Sequence, residues 1–196
     1  MNSGSRHSVI LASRSPRRLE LARRAGWIGA ARPPDEAVEA GEPPRRPAET
    51  LEAYVQRLAR AKAEAVAATL AAGTIVACDT LGDVDGTVLG QPVDAADARR
   101  MLAALSGRRH RVLTGVCVWR LPDGQPRLAV AESLLEMEPL SEEFLDWYLA
   151  SGLWRGKAGA CGFQDERLPL HLVAGSPSNV VGLPLELLGE MLAEMG

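Results

Sequence analysis

An α/β fold, with strands alternating with helices along the chain, is predicted by three observations. Val9-Ile10-Leu11 is a short apolar strand that runs straight into a capped helix, and Thr74-Ile75-Val76-Ala77-Cys78 is a continuous β-branched and apolar run of the kind buried in a sheet. Residues 109–137 read as two long strands, Val112 to Leu121 and Arg127 to Met137, joined by the turn Pro122-Asp123-Gly124-Gln125 into a long β-hairpin. With 196 residues, 46% of them hydrophobic and 24% charged, the chain suits one well-buried domain over 1–196, with 1–7 a flexible lead-in.

The elements follow in order. Ser15 is an N-cap and Pro16 the first helical residue, so a helix begins there. Ala31 to Ala48, rich in proline and acidic residues, reads as an ordered loop carrying Asp35-Glu36, and its length favours a functional role. From Glu49 to Ala72, the spacing of Leu51, Tyr54, Val55, Leu58, Ala61, Lys62 and Ala65 is helical and puts Lys62 near the edge of the buried face, with Gly73 ending the helix. The strand that follows delivers Asp79-Thr80 at its C-terminal end. Asp83-Val84-Asp85-Gly86 is a hairpin turn, Asp94 caps a helix through Leu105, and Ser106-Gly107 closes it. Ser141 caps a helix through Leu149, and residues 156–164 form a glycine-rich loop suited to close approach of a ligand. Leu170 to Val173 is a last strand, Gly175 to Asn179 a turn, and Leu185 to Met195 a closing amphipathic helix.

Charge and cysteine content narrow the function. A net charge of -3 argues against a general nucleic-acid or membrane binder, and no stretch is apolar and long enough for a signal peptide or membrane span, so the expected location is the cytoplasm. Cys78, Cys117 and Cys161 are odd in number and widely spaced, which indicates neither disulfides nor a zinc site. Cys78 is a poor nucleophile, since a buried strand and the neighbouring Asp79 both raise a thiol pKa. No histidine accompanies a nucleophile elbow, and neither a Walker phosphate loop nor a dinucleotide-binding glycine motif is present.

What remains points to phosphate. Ser13, Ser15, Arg17 and Arg18 place hydroxyls and guanidiniums on a strand-to-helix turn, where free amides and the helix dipole favour an anion. Of 22 basic residues only Lys62 and Lys157 are lysine, and a compact ammonium suits a phosphate oxygen in a narrow site. Glu36 and Asp79 are hard oxygen donors for Mg²⁺ or Mn²⁺, and Asp79 is also a candidate general base. Together these residues suggest metal-assisted hydrolysis of a polyphosphate.

The motifs Leu11-Ala12-Ser13-Arg14-Ser15-Pro16-Arg17-Arg18, Asp35-Glu36, Arg57 to Ala63, Asp79-Thr80, Gly90-Gln91-Pro92, Leu105-Ser106-Gly107, Val112 to Val116, Lys157-Ala158-Gly159 with Gly162-Phe163-Gln164, and Ser178 to Pro184 resemble, in order, those of the Maf proteins. These are nucleoside triphosphate pyrophosphatases related in fold to the inosine triphosphatases (Maf/Ham1). The resemblance spans nearly the whole chain. It implies a twisted mixed β-sheet with a long β-hairpin and flanking helices, and a nucleotide cleft between two lobes. It further implies hydrolysis of a nucleoside triphosphate to monophosphate and pyrophosphate with a divalent metal. It puts the catalytic aspartate at Asp79, the phosphate grip at Ser13, Ser15 and Arg18, the acidic loop residue at Glu36 and the helix lysine at Lys62. Substrate choice falls to Arg17, Thr80 and Gln164, a set that looks like the dTTP/UTP branch, with Gln91 and Lys157 as further substrate-binding positions. The expected partners are a nucleoside triphosphate and, in a homodimer, a second copy of the chain, with no nucleic-acid polymer and no membrane.

The chain also departs from the family pattern. Gln91 stands where lysine is usual, which should weaken the phosphate grip, Asp83 and Asp85 replace apolar residues, and Pro177 replaces a frequent tyrosine. These departures leave two alternatives: a 7-methyl-GTP-type or broad pyrophosphatase, and a non-catalytic nucleotide-binding regulator of cell division.

Overall fold

The computed structural model describes residues 8–35, 38, 43–122 and 124–195. Along the chain run β1 (Val9–Leu11), α1 (Pro16–Arg24), β2 (Ile28–Ala31), α2 (Leu51–Ala67), β3 (Gly73–Val84), β4 (Thr87–Leu89), α3 (Ala95–Leu105), β5 (Arg109–Leu121), β6 (Arg127–Met137), α4 (Glu142–Ser151), a 3₁₀ turn (Ala158–Ala160), β7 (Leu170–Ala174), α5 (Pro177–Val181) and α6 (Leu185–Ala193). The strands form a mixed sheet in the order β2-β1-β3-β5-β6-β7, with β4 paired to β3. β1 is parallel to both β2 and β3, whereas β3–β4 and β6–β7 are antiparallel. The α/β class and the long hairpin of β5 and β6 are as expected from the sequence.

The chain divides into two compact units, each assembled from separated segments: residues 1–79, 114–131 and 182–196 in one, 80–113 and 132–181 in the other. In the first unit, alternation along the strands sorts side chains onto two faces. Val76, Cys78, Val116 and Val118 pack with Ala22 of α1 and Leu188, Met191 and Leu192 of α6. Ile75, Ala77 and Cys117 pack with Ala59, Ala63 and Val66 of α2. The α2 face is built from small residues, and Gly115 on β5 shows why. A Cβ on Gly115 would lie 2.3 Å from the carbonyl oxygen of Val55, so the α2 backbone rests directly on the strand. In the second unit, Met101, Leu102 and Leu105 of α3 and Leu145 and Tyr148 of α4 share a core with Val84, Leu89 and Trp154.

Capping agrees with the sequence. Ser15, Asp94 and Ser141 cap α1, α3 and α4 through their side chains, and α2 is capped by Thr50. The expected hairpin turn forms one residue further on, at Val84–Thr87, with Asp83 still paired on β3 and with Asp85 and Gly86 both at positive φ, as a two-residue hairpin requires. Four expectations are corrected. β3 does not end at Asp79 but runs on to Val84, because its two aspartates, which argue against a strand in isolation, each find a cation: Lys62 for Asp79 and Arg111 for Asp83. The helix expected to reach Ala72 stops at Ala67, and Gly73, at φ +133°, opens the next strand instead. β2 falls where no strand signal exists, since Ile28-Gly29-Ala30-Ala31 has weak β propensity and is held by parallel pairing to β1. The turn expected at Gly175 to Asn179 becomes α5 from Pro177, where proline suits a first helical position. The Asp123 of the hairpin turn lies outside the described residues, as does the 1–7 lead-in.

Asp83 and Asp85, which looked like surplus negative charge, are matched. Asp83 is buried and its Oδ2 accepts from Arg111 Nε and Nη2 at 2.9 and 2.7 Å, and Asp85 accepts from Arg108 at 2.9 Å. Ser133 and Asn179 form a second buried lock: Asn179 Nδ2 donates to Ser133 Oγ at 2.9 Å and to the Val112 carbonyl at 3.2 Å. The Ser178-Asn179 motif is thus, on its asparagine, a cross-link from α5 to β5 and β6.

Two stability predictions follow from these interiors. Gly115→Ala forces α2 away from β5 and lowers the unfolding free energy by roughly 1–3 kcal/mol, the usual cost of overpacking, measurable by chemical denaturation. His110 on β5 is buried, and neither ring nitrogen has a hydrogen-bond partner among the described residues. Burial therefore holds its pKa below that of a free imidazole. The folded state keeps the ring neutral while the unfolded chain takes up a proton, so His110's contribution is complete above the unfolded pKa and is lost as pH falls below it. Stability should decline as pH falls through about 6.5, with a shallower decline in His110→Phe.

Candidate active site

The strand-to-helix turn after β1 has the geometry its sequence suggests. Ser13 is buried and its Oγ accepts from the Ser15 amide at 3.1 Å, while Ser15 Oγ accepts from the Arg18 amide at 3.4 Å. With these lone pairs engaged, each hydroxyl proton is what the turn can offer an anion. Arg17 and Arg18 are half-buried beside it. Arg18 reaches inward, where its Nε donates to the Gly182 carbonyl at 2.7 Å and its Nη1 to the Cys78 carbonyl at 2.8 Å. Arg18 thereby fastens the turn to the residue preceding Asp79. On the other flank, Arg14 Nη2 donates to the Pro34 carbonyl at 3.3 Å and the Arg32 amide to the Leu11 carbonyl at 3.0 Å, which anchors the start of the acidic loop next to the same turn. Glu36 itself lies outside the described residues.

Strand parity decides where Asp79 points. Ile75 and Ala77 face α2, so Asp79 faces it too, and Lys62 lies seven residues beyond Val55 on the same stripe of that helix. The two meet in a buried ion pair, Lys62 Nζ donating to Asp79 Oδ1, with side chains only 10% and 6% exposed. Removing one partner of such a pair strands the other charge away from water, at a cost of about 3–5 kcal/mol. Lys62, expected near the edge of the buried face, is inside it.

The remaining sequence-selected residues, Thr80, Gln91, Lys157 and Gln164, belong to the second unit. Thr80 is half-buried, whereas Gln91 and Gln164 are exposed. The Gly159 amide donates to the Gly90 carbonyl at 2.9 Å and so joins the glycine-rich loop to the Gly90-Gln91 segment. Lys157 is not free: its Nζ donates to both oxygens of Asp165, at 2.7 and 2.6 Å. Asp165 was not singled out from the sequence. The available signal was a carboxylate closing a glycine-rich loop that opens on a lysine. Cys78 and Cys117 are core thiols, and Cys161 is half-buried against the core. Burial pushes Cys78 up to about 11 and Cys117 and Cys161 up to about 12, so none supplies a thiolate near neutral pH.

Comparison with known proteins fits this arrangement. The model of the family described as Maf-like protein matches residues 8–195. A dTTP/UTP pyrophosphatase of Anaeromyxobacter sp. (strain Fw109-5) is 46% identical over 194 residues, covering 96% of this chain and 89% of the relative. A dTTP/UTP pyrophosphatase of Rhodopirellula baltica is 42% identical over 186 residues, covering 94% and 81%. One of Symbiobacterium thermophilum is 41% identical over 192 residues, covering 96% and 94%. A match running almost from end to end, on a chain whose ordered motifs assemble a hydroxyl-bearing turn beside a buried aspartate, places this chain in the Maf family.

Proposed function

We propose that this chain is a nucleoside triphosphate pyrophosphatase that favours dTTP and UTP. The observation that carries the reading is the buried Lys62–Asp79 pair, tied through Arg18 to the hydroxyl-bearing turn of α1. The names of the relatives, all at 41% identity or more, support the choice of substrate.

In this reading Ser13, Ser15 and Arg18 hold the phosphates at the α1 N-terminus, where the helix dipole adds to their donors and Arg18 also braces the turn. Lys62 orients the Asp79 carboxylate through Oδ1. The second carboxylate oxygen takes a proton from a water that attacks the α-phosphorus. The new bond joins water oxygen to the α-phosphorus and the bond to the α,β-bridging oxygen breaks, so pyrophosphate leaves with the electron pair and the nucleoside monophosphate remains. Arg17, Thr80 and Gln164 select the base, and Gln91, a neutral amide, contacts the phosphates more weakly than a cation would.

A divalent cation fits the donors. Among the described residues no group of three His, Cys, Asp or Glu forms a protein cage. Mg²⁺ in phosphate chemistry is held by one or two carboxylates together with substrate oxygens, and Asp79 is a hard oxygen donor of that kind. Asp79 and Glu36 would hold the ion. When bound, it would neutralise phosphate charge and acidify water. Cytoplasmic residence and a homodimeric assembly belong to the same proposal, and among the described residues no helix is long and apolar enough to cross a membrane.

Product analysis with dTTP, UTP, CTP, GTP and 7-methyl-GTP tests the reaction: monophosphate with pyrophosphate is expected, fastest with dTTP and UTP. Nucleotide binding without any product would instead favour the regulator. Asp79→Asn, with folding checked by circular dichroism, should lower kcat by about 10²–10⁴-fold, the usual share of a general base. Chelation should abolish turnover, and added Mg²⁺ or Mn²⁺ should restore it.

A further inference from the structure

The glycine-rich loop of the second unit contains a polar assembly that the proposed reaction does not use. Tyr148 of α4 is fully buried, with its ring 5.9 Å from Phe144 in a stacked arrangement, and its hydroxyl donates to Asp165 Oδ2 at 2.5 Å. Lys157 Nζ donates to both oxygens of the same carboxylate, and the Lys157 and Asp165 side chains are 13% and 11% exposed. Gly162 makes room for this: a Cβ there would lie 2.8 Å from Lys157 Nζ and 2.9 Å from its Cδ and Cε. Asp165 is also the hinge of two successive turns. Its amide donates to the Gly162 carbonyl at 2.9 Å and its carbonyl accepts from the Leu168 amide at 2.8 Å. Phe163 and Gln164 therefore form the tip of a β-turn whose last residue is anchored by its side chain to the Tyr148 hydroxyl and the Lys157 ammonium.

We propose that Asp165 is a specificity-positioning residue: with Tyr148 and Lys157 it forms a buried strut that fixes the 156–168 loop and presents Gln164 to the nucleotide base in one place. The inference rests on the pyrophosphatase reading for its substrate, but the strut itself does not. It changes the role of Lys157 from phosphate ligand to loop support, since its ammonium is already held by a carboxylate in a site largely closed to water. A hydrogen-bonding residue discriminates between bases only when its amide is held in register with the base edge, so releasing the turn should blur the choice without touching the attacking groups on the other unit.

The test compares Asp165→Asn, Lys157→Met, Gln164→Ala and the charge-swapped Lys157→Asp/Asp165→Lys chain, with melting temperatures to confirm folding. In Asp165→Asn the ratio of kcat/KM for dTTP over CTP should fall about tenfold, through KM rather than kcat, as in Gln164→Ala. Amide hydrogen exchange across 156–168 should accelerate in Asp165→Asn and Lys157→Met but not in Gln164→Ala. The swapped pair, in which Tyr148 can accept instead of donate, should restore both loop protection and selectivity. Unchanged exchange and selectivity in Asp165→Asn would overturn the proposal. So would a Lys157→Met chain that raises KM equally for every triphosphate and is not rescued by the swap, because that result makes the ammonium a phosphate ligand. A wild-type chain that turns over no triphosphate would overturn the pyrophosphatase reading and the selectivity role together, and loop exchange would then decide the strut alone.

Discussion

The Lys62–Asp79 ion pair constrains the first unit, because two opposite charges are held almost out of water and each is tolerable only while the other is in place. The pair requires Asp79 to sit on the α2 side of β3 and Lys62 to sit on the sheet side of α2. The first condition is met by strand parity through Ile75, Ala77 and Asp79. The second depends on how closely the helix lies on the sheet, which is set by Gly115 under Val55 and by Ala59 and Ala63 against the strands. A bulkier interface would lift Lys62 away from the carboxylate. Arg18 then ties the hydroxyl-bearing turn to the same place through the Cys78 carbonyl, so that Ser13, Ser15 and the buried carboxylate share one support.

Lysine usage acquires a physical explanation. Both lysines of the chain are paired with buried or nearly buried aspartates, Lys62 with Asp79 and Lys157 with Asp165. Many of the arginines whose partners are described bridge carboxylates at exposed positions, as in Arg24–Glu20, Arg60–Glu64 and Arg109–Glu136, where a surface pair contributes little to stability. A planar guanidinium needs room on both sides of its plane, whereas an ammonium at the end of a thin stem fits beside a glycine such as Gly162. The composition therefore pointed to two special positions. Only one of the two lysines, Lys62, lies in the unit that contains Ser13, Ser15, Arg17 and Arg18.

Local signals were legible wherever the chemistry is local. The Ser15 cap, the Asp94 and Ser141 caps, the Asp85-Gly86 turn and the apolar run before Asp79 each depend on a few adjacent residues and form as written. In β3 and β2 a distant partner overrides local preference, whereas α5 forms at a proline where a turn was expected and α2 stops short of Gly73. β3 continues through Asp79 and Asp83 because Lys62 and Arg111 neutralise them, and β2 exists because β1 offers it a parallel edge despite its glycine and alanines.

By itself the sequence determined the α/β class, the ordered family motifs and the capped turn before α1, because each depends on residues close together in the chain. Tertiary structure alone decided that Asp79 and Lys62 neutralise one another, that Arg18 supports the backbone before Asp79, that Asn179 cross-links α5 to β5 and β6, and that Lys157 is gripped by Asp165 and Tyr148. Each of these depends on which side chains are brought together out of water, and burial changes the meaning of a charge or an amide: exposed, it is a free ligand, whereas enclosed, it must be matched by a partner that no local spacing can name.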